Sequence, residues 1–218
     1  MRLTAAEESR GGKIAQPLLG DRAVEAATVG RLSGTMPVSL DEPNVLVLDM
    51  PKWRLEGDAG WQGPEEILRL DNQVRERLGL RERGGHIVQP WVYGKDYRKL
   101  ATLELSYRFD SLVKVENPLF AMEEPERAEL FLDGRPVEFE ECGWWTDESL
   151  RTTLLPAIEP GEHELLVKIA YSNSGNVEKC FLLGDFGVEL RGDSARLTAP
   201  VRELYWGDAT RQGLPFYG

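Results

Sequence analysis

The sequence predicts an all-β fold, mainly antiparallel: a β-sandwich carrying one α-helix at about residues 64–79. Three observations predict it. Beyond the helix the apolar residues alternate with polar ones at period two, the pattern of strands with one buried and one wet face. The pair Asp133-Gly134 sits between two such runs, as a two-residue hairpin turn does. Helical spacing is sustained only once, in "PEEILRLDNQVRERLGL".

In that stretch Pro64 fits the first helical position, and Glu65 and Glu66 suit the positive end of the helix dipole. Ile67, Leu70, Val74 and Leu78 recur on one face, and Gly79 provides the stop. Such a stripe reads as a face docked on a core. Upstream, "VLVLDM" (45–50) is a compact apolar run that suits a strand buried on both faces. Residues 1–42 have weak periodicity and scattered glycines, with "RAVEAATV" as a short strand or a helical turn. They are expected to form an arm or linker, leaving 43–218 as the sandwich domain.

In "TLELSYRFD", Leu103, Leu105, Tyr107 and Phe109 alternate with Thr102, Glu104, Ser106 and Arg108. "AELFLDGRPVEFE" is a hairpin whose register follows by counting outward from Asp133-Gly134. Leu132 pairs with Arg135, Phe131 with Pro136, Leu130 with Val137, Glu129 with Glu138 and Ala128 with Phe139. Leu130, Val137, Ala128 and Phe139 then share a face, the two glutamates face water, and Pro136 falls where its missing N–H costs the ladder nothing. "LRTTLLPAIEPGEHELLVKIAYS" supplies two strands across a Pro-Gly turn at 160–161, and "SNSGNVEK" reads as a polar loop. "CFLLGDFGVEL" gives a strand, a Gly184-Asp185 break and another strand; short strands near 195–198 and 202–206 follow. Eight to ten strands with one helix imply a sandwich of the jelly-roll kind.

Bulk properties exclude several functions. At 218 residues the chain is shorter than the ~250 typical of a (β/α)8 barrel. With 26 basic and 37 acidic residues its net charge is −11, which disfavours nucleic acid, and no basic stripe offsets it. No apolar run approaches the length of a membrane span, and the first residues lack the apolar stretch of a secretory signal, so a cytoplasmic location is favoured. Cys142 and Cys180 are then expected as reduced thiols, with a bridge between them as the alternative. No zinc spacing includes His86 or His163, and no phosphate loop, dinucleotide fingerprint or Gly-x-Ser-x-Gly elbow is present, so neither metal nor cofactor is expected.

"AELFLDGRPV", "GWWTDESLRTTLLPAIEPGEHELLVKI" and "FLLGDFGVEL" together resemble the jelly-roll, galactose-binding-like domains attached to bacterial glycoside hydrolases. These include the sugar-binding domain of glycoside hydrolase family 2 and accessory domains of α-L-rhamnosidase-like enzymes. The resemblance covers roughly 43–218 and is strongest over 125–190. It implies a module whose partners are a carbohydrate and the catalytic domain of the same parent protein.

The residues themselves leave the chemistry open. In "ECGWWTDESL", adjacent strand residues point to opposite faces, so a regular strand can bury only one of Trp144 and Trp145. The other lies under a loop, on a ligand or against a partner domain, since indole rings serve sugar stacking and interfaces alike. Asp147 and Glu148 suit either sugar hydroxyls or local backbone N–H groups. Asp185 turns the chain at a strand break or accepts at the rim of a pocket. Trp91 completes the candidate glycan-contacting set of Trp144, Trp145, Asp147 and Asp185. The expected function is a non-catalytic carbohydrate-binding or bracing module. The alternatives are a free-standing glycan-acting hydrolase, and a structural protein-interaction module with Trp53, Trp61 or Trp206 in an exposed patch.

Overall fold

The computed structural model describes residues 34–83, 96–192 and 194–217. At its centre run two antiparallel strands of eleven residues each, β4 (Ala101–Ser111) and β10 (Gly161–Tyr171), paired along their whole length. Leu103 faces Ile169, Leu105 faces Val167 and Tyr107 faces Leu165, all buried. This is the alternation expected for "TLELSYRFD". Ser106, on the outward side, is also buried, because it hydrogen-bonds Glu164 Oε1 at 2.6 Å and lies opposite Lys52 of the next strand.

Strands add to both edges of this pair. β10 takes β6 (Ala128–Leu132), which turns back into β7 (Arg135–Val137). β4 takes β3 (Lys52–Leu55) and, near its end, the parallel β13 (Ser194–Thr198) with β12 (Gly187–Arg191) outside it. The second sheet has five strands in the order β2 (Asn44–Leu48), β11 (Cys180–Gly184), β5 (Leu119–Met122), β9 (Asp147–Leu154) and β8 (Glu141–Trp145). Leu46, Leu48, Phe120 and Leu182 from this sheet meet Leu103, Leu105, Leu130, Leu165 and Val167 from the other in one core. The chain is therefore the mainly antiparallel all-β sandwich that its alternation predicts. Among the described residues there are fourteen strands instead of eight to ten. The extra ones are short, such as β1 (Thr35–Pro37); its partner β14 (Glu203–Tyr205) is the strand expected near 202–206. β1 and Val38 fall within the expected arm; Val38 packs with Leu204 and Leu214 in a small satellite cluster.

The hairpin keeps the counted register: Leu130 faces Val137, Phe131 faces Pro136 and Leu132 faces Arg135. Asp133 and Gly134 have φ of 51° and 73°, both left-handed, as a type I′ turn requires. The ladder ends at Val137, so the Glu129–Glu138 and Ala128–Phe139 pairs do not form. There the Glu140 N–H donates to the Glu138 carbonyl at 3.1 Å, and the chain departs for β8 in the other sheet. Both glutamates are exposed. The two strands flanking Pro160-Gly161 likewise belong to opposite sheets, so 155–160 crosses the sandwich. β2 is buried on both faces, Leu46 and Leu48 in the main core and Val45 in a small cluster outside it.

The helix α1 (Ile67–Arg77) starts later than expected. Glu66 is its N-cap, accepting from the N–H groups of Leu68 and Arg69 at 3.2 and 3.1 Å, so Pro64 stands before the helix. A carboxylate that satisfies orphan donors fixes the start more firmly than proline's preset φ. Gly79 closes it at φ 67°, its N–H reaching Glu76 O while Leu80 N–H reaches Arg75 O, a Schellman motif. Ile67, Leu70 and Val74 are buried as expected; Leu78 is only partly covered.

The same helix buries Asp71 and Arg75, which its apolar stripe did not foretell. Asp71 accepts from the Tyr171 hydroxyl and from Arg83 Nε, both at 2.6 Å, and Arg75 donates to Asn173 Oδ1 at 3.0 Å. Buried charge is tolerated because it is paired and hydrogen-bonded. The network clamps α1 to the end of β10.

Asp58, in the turn after β3, accepts the Leu55 N–H at 2.8 Å and pairs with Arg77 at the end of α1. The Arg77 guanidinium, helped by that N–H, holds the Asp58 carboxyl down to about 2 from its ordinary 3.8. A carboxyl depressed in the folded state stabilises at pH above its unfolded value, and that contribution fades as pH falls through the folded one. Asp58→Asn is expected to lower stability near neutral pH in urea unfolding, with the gap to wild type closing between about pH 4 and pH 2.

Candidate functional site

The edge of the five-stranded sheet holds most of the residues singled out in the sequence. β8 is its outermost strand, with β9 as neighbour, and their register shifts between Glu141 and Gly143 and again between Trp144 and Trp145. Such bulges twist an edge and re-aim its side chains. Trp144 lies opposite Arg151, and Arg151 opposite Met122, which belongs to the main core. Trp144 is thus on the inward side, but at the edge strand it is left 58% exposed. Trp145 points the other way. Its ring packs on Phe181 at 4.9 Å between centroids, beside Val45, Ala121 and Leu183 on the outer face of the sheet. The pair splits across the sheet, as alternation demands.

Asp147 is exposed and accepts the Ser149 N–H at 2.8 Å; the Ser149 contacts hold its carboxyl below the usual range. Arg151, opposite Trp144, pairs with Glu126 and lies 3.6 Å from Glu141. Beyond it, Glu123 accepts from Asn176 Nδ2 at 2.6 Å and meets Ser149 Oγ at 3.5 Å. Half-burial, and then the charge of Glu123, push the Glu178 carboxyl up. Three segments converge here: the residues after β5, the first half of β9, and the loop between β10 and β11. Sequence reading missed Glu123, Glu126, Arg151 and Asn176, because "SNSGNVEK" reads only as a polar loop, Arg151 as an ordinary strand residue, and no spacing joins them to Glu123 and Glu126.

Asp185 does not join this group. It follows β11, where the chain leaves the five-stranded sheet for β12 in the other. β11 is three strands from β8, about 14 Å at ordinary strand spacing. Asp185 pairs instead with Arg202, which lines a cleft of about 740 Å³ between β12 and the C-terminal segment, together with Arg191 and Gln212. Trp91 and His86 lie outside the described residues. His163 holds the hairpin turn, Nδ1 2.8 Å from Asp133 Oδ2 and Nε2 2.6 Å from the Glu159 carbonyl, with its ring stacked on Phe109.

Cys142 and Cys180 are free thiols, one exposed on β8 and the other buried on β11, so the alternative of a bridge is not realised. Burial pushes the Cys180 thiol up to about 12. Among the described residues no three metal-ligating side chains come together, and no helix is long and apolar enough to cross a membrane.

No family model matches the chain, and no curated protein matches it. Among solved structures it is similar to a GH2 β-galacturonidase from Eisenbergiella tayi, crystallised with galacturonate, at 14% identity and a TM-score of 0.36. The match covers 73% of this chain and 30% of that one. A likeness this distant carries no weight for what the chain binds or does.

The two tryptophans should separate cleanly in mutagenesis. Trp145→Ala removes the ring from Phe181 and is expected to cost about 2 kcal/mol, somewhat less than a core aromatic truncation. Trp144→Ala should stay within about 0.5 kcal/mol of wild type. Urea unfolding with unchanged slope checks both; equal losses would contradict the assignment of faces.

Proposed function

We propose that this chain is a non-catalytic carbohydrate-recognition module of the jelly-roll, galactose-binding-like kind, acting beside the catalytic domain of a glycoside hydrolase. The observation that carries this reading is Trp144, exposed on an edge strand with Arg151 opposite, and with Asp147 at the start of β9, opposite the next residue Trp145. One side of a pyranose presents C–H groups that suit an indole face, and carboxylates and guanidinium groups nearby suit its hydroxyls. Asp147 is ionised at neutral pH, since its contacts with Ser149 hold its pKa down.

Glycoside hydrolysis needs two carboxyls flanking the bond, one of them holding a proton. Among the described residues Glu178 is the carboxyl whose pKa is raised, and its neighbour Glu123 is engaged by Asn176 and Ser149. That arrangement ties down a loop, which favours a recognition role over a catalytic one. The exposed free thiol of Cys142 suits a reducing, cytoplasmic setting.

A bracing role is the second reading, favoured by the exposed Tyr205, Trp206 and Phe216 on the C-terminal segment. Trp53, one of the residues expected in such a patch, is 1% exposed and belongs to the core, whereas Trp61 and Trp206 are exposed. Titration of the chain with a glycan panel, followed by calorimetry, separates the two. Weak binding that disappears in Trp144→Ala with the fold intact is the expected result. Binding untouched by Trp144→Ala would remove the proposed contact, and turnover of an aryl-glycoside abolished by replacing a single acid would remove the non-catalytic reading.

A further inference from the structure

The outward face of the seven-stranded sheet carries four charged side chains in one row. Arg54 of β3 lies opposite Glu104 of β4, Glu104 opposite Lys168 of β10, and Lys168 opposite Glu129 of β6. Side chains in register share a face, so the row crosses four strands over about 14 Å. All four line a groove of about 440 Å³, together with Glu56, Asp58 and Thr102.

The middle of the row is internally satisfied. Arg54 Nε and Nη2 lie 2.6 and 2.5 Å from Glu104 Oε2, and Lys168 Nζ lies 3.6 Å from Oε1 of the same carboxylate. The ends differ. Glu129 is exposed and meets no cation within ion-pair distance among the described residues. At the other end Arg54 lies 4.7 Å from the ring centroid of Trp61, an exposed side chain. Lys168 is steered in the same manner by Phe131, 4.9 Å away.

A plain ladder of surface ion pairs needs neither a concavity nor an aromatic residue at its edge. Here the two are neighbours: an exposed indole that stands outside the lining but against Arg54 at one end, an uncommitted carboxylate at the other, and guanidinium and ammonium donors between them. Sugar hydroxyls both donate and accept, and a floor of alternating charge serves both directions, while the indole supplies an apolar contact. The lining holds four carboxylates against two cations, which opposes an acidic ligand. Glu56 and Asp58 keep that charge at neutral pH: the Thr102 hydroxyl holds the first carboxyl down, and Arg77 the second.

We propose that this groove binds a short pyranose oligosaccharide, neutral or amino-substituted, laid across β3, β4, β10 and β6 with one ring against Trp61. The site is on the opposite sheet from Trp144 and does not depend on the role proposed for that residue.

The test is a ¹⁵N-NMR titration of the full chain with cellotriose, with the glucosamine trisaccharide and with trigalacturonate. Shifts at Arg54, Glu104, Glu129 and Lys168 are expected with either of the first two and not with the third. Trp61→Ala should weaken this binding roughly tenfold, the worth of one aromatic contact. Glu129→Gln should weaken the amino sugar more than the neutral one, and Trp144→Ala should leave the groove titration unchanged. Both groove substitutions are at exposed positions, and the same spectra report whether each variant is folded. Absence of shifts with both favoured sugars, equal binding of trigalacturonate, or binding indifferent to Trp61→Ala and Glu129→Gln would each overturn the proposal.

Discussion

Along β4 and β10 each inward side chain meets another across the ladder, Leu103 against Ile169, Leu105 against Val167 and Tyr107 against Leu165. Burying an aliphatic side chain of this kind contributes roughly 1.5–3 kcal/mol. The same register sets the outward face, where Glu104 meets Lys168 and Arg108 meets Glu164. Both edges of the pair are then templates, one for β6 and the other for β3 and β13. The intervening residues 112–160 supply strands to both sheets, β6 and β7 to one and β5, β8 and β9 to the other. Closing that long segment costs chain entropy, which burial along the ladder and of Phe120, Leu130 and Ile158 within the segment offsets.

The periphery is built differently. Among the described residues β8 leaves one edge unpaired, and an exposed edge invites association with other strands. Its two register shifts, the exposed Glu141 and the Arg151–Glu126 pair blunt that edge. They also place Trp144 and Trp145 in unlike surroundings, one in solvent and one on Phe181. The shape of the strand, more than the identity of its residues, decides which indole is left exposed.

Much of this was legible in the sequence, for a physical reason. Where one face of an element is buried and the other wet, the pattern repeats the geometry, as in "TLELSYRFD", in α1 and in the hairpin around Asp133-Gly134. Contacts between distant segments leave no such trace. Asp71 and Arg75 look like ordinary surface positions of a helix, yet they are buried because Arg83, Tyr171 and Asn173 come to meet them. Alternation marks Glu104 as outward-facing, but its place in a row with Arg54, Lys168 and Glu129 follows from the order β3-β4-β10-β6, which is not the order of the chain. Asp185 seemed grouped with Trp144 only until the strand order set them about three strand spacings apart.

Native-state hydrogen exchange tests the central position of the β4–β10 ladder most directly. If the two strands are the last structure to open, the amides of Leu103, Leu105, Val167 and Ile169 exchange only through global unfolding, with an opening free energy equal to that from urea denaturation. The amides of Cys142, Trp144 and Thr146 at the β8 edge then exchange through smaller, local openings. Exchange of the β4 and β10 amides at lower opening free energies than those of β2, β5 or β11 would contradict that position.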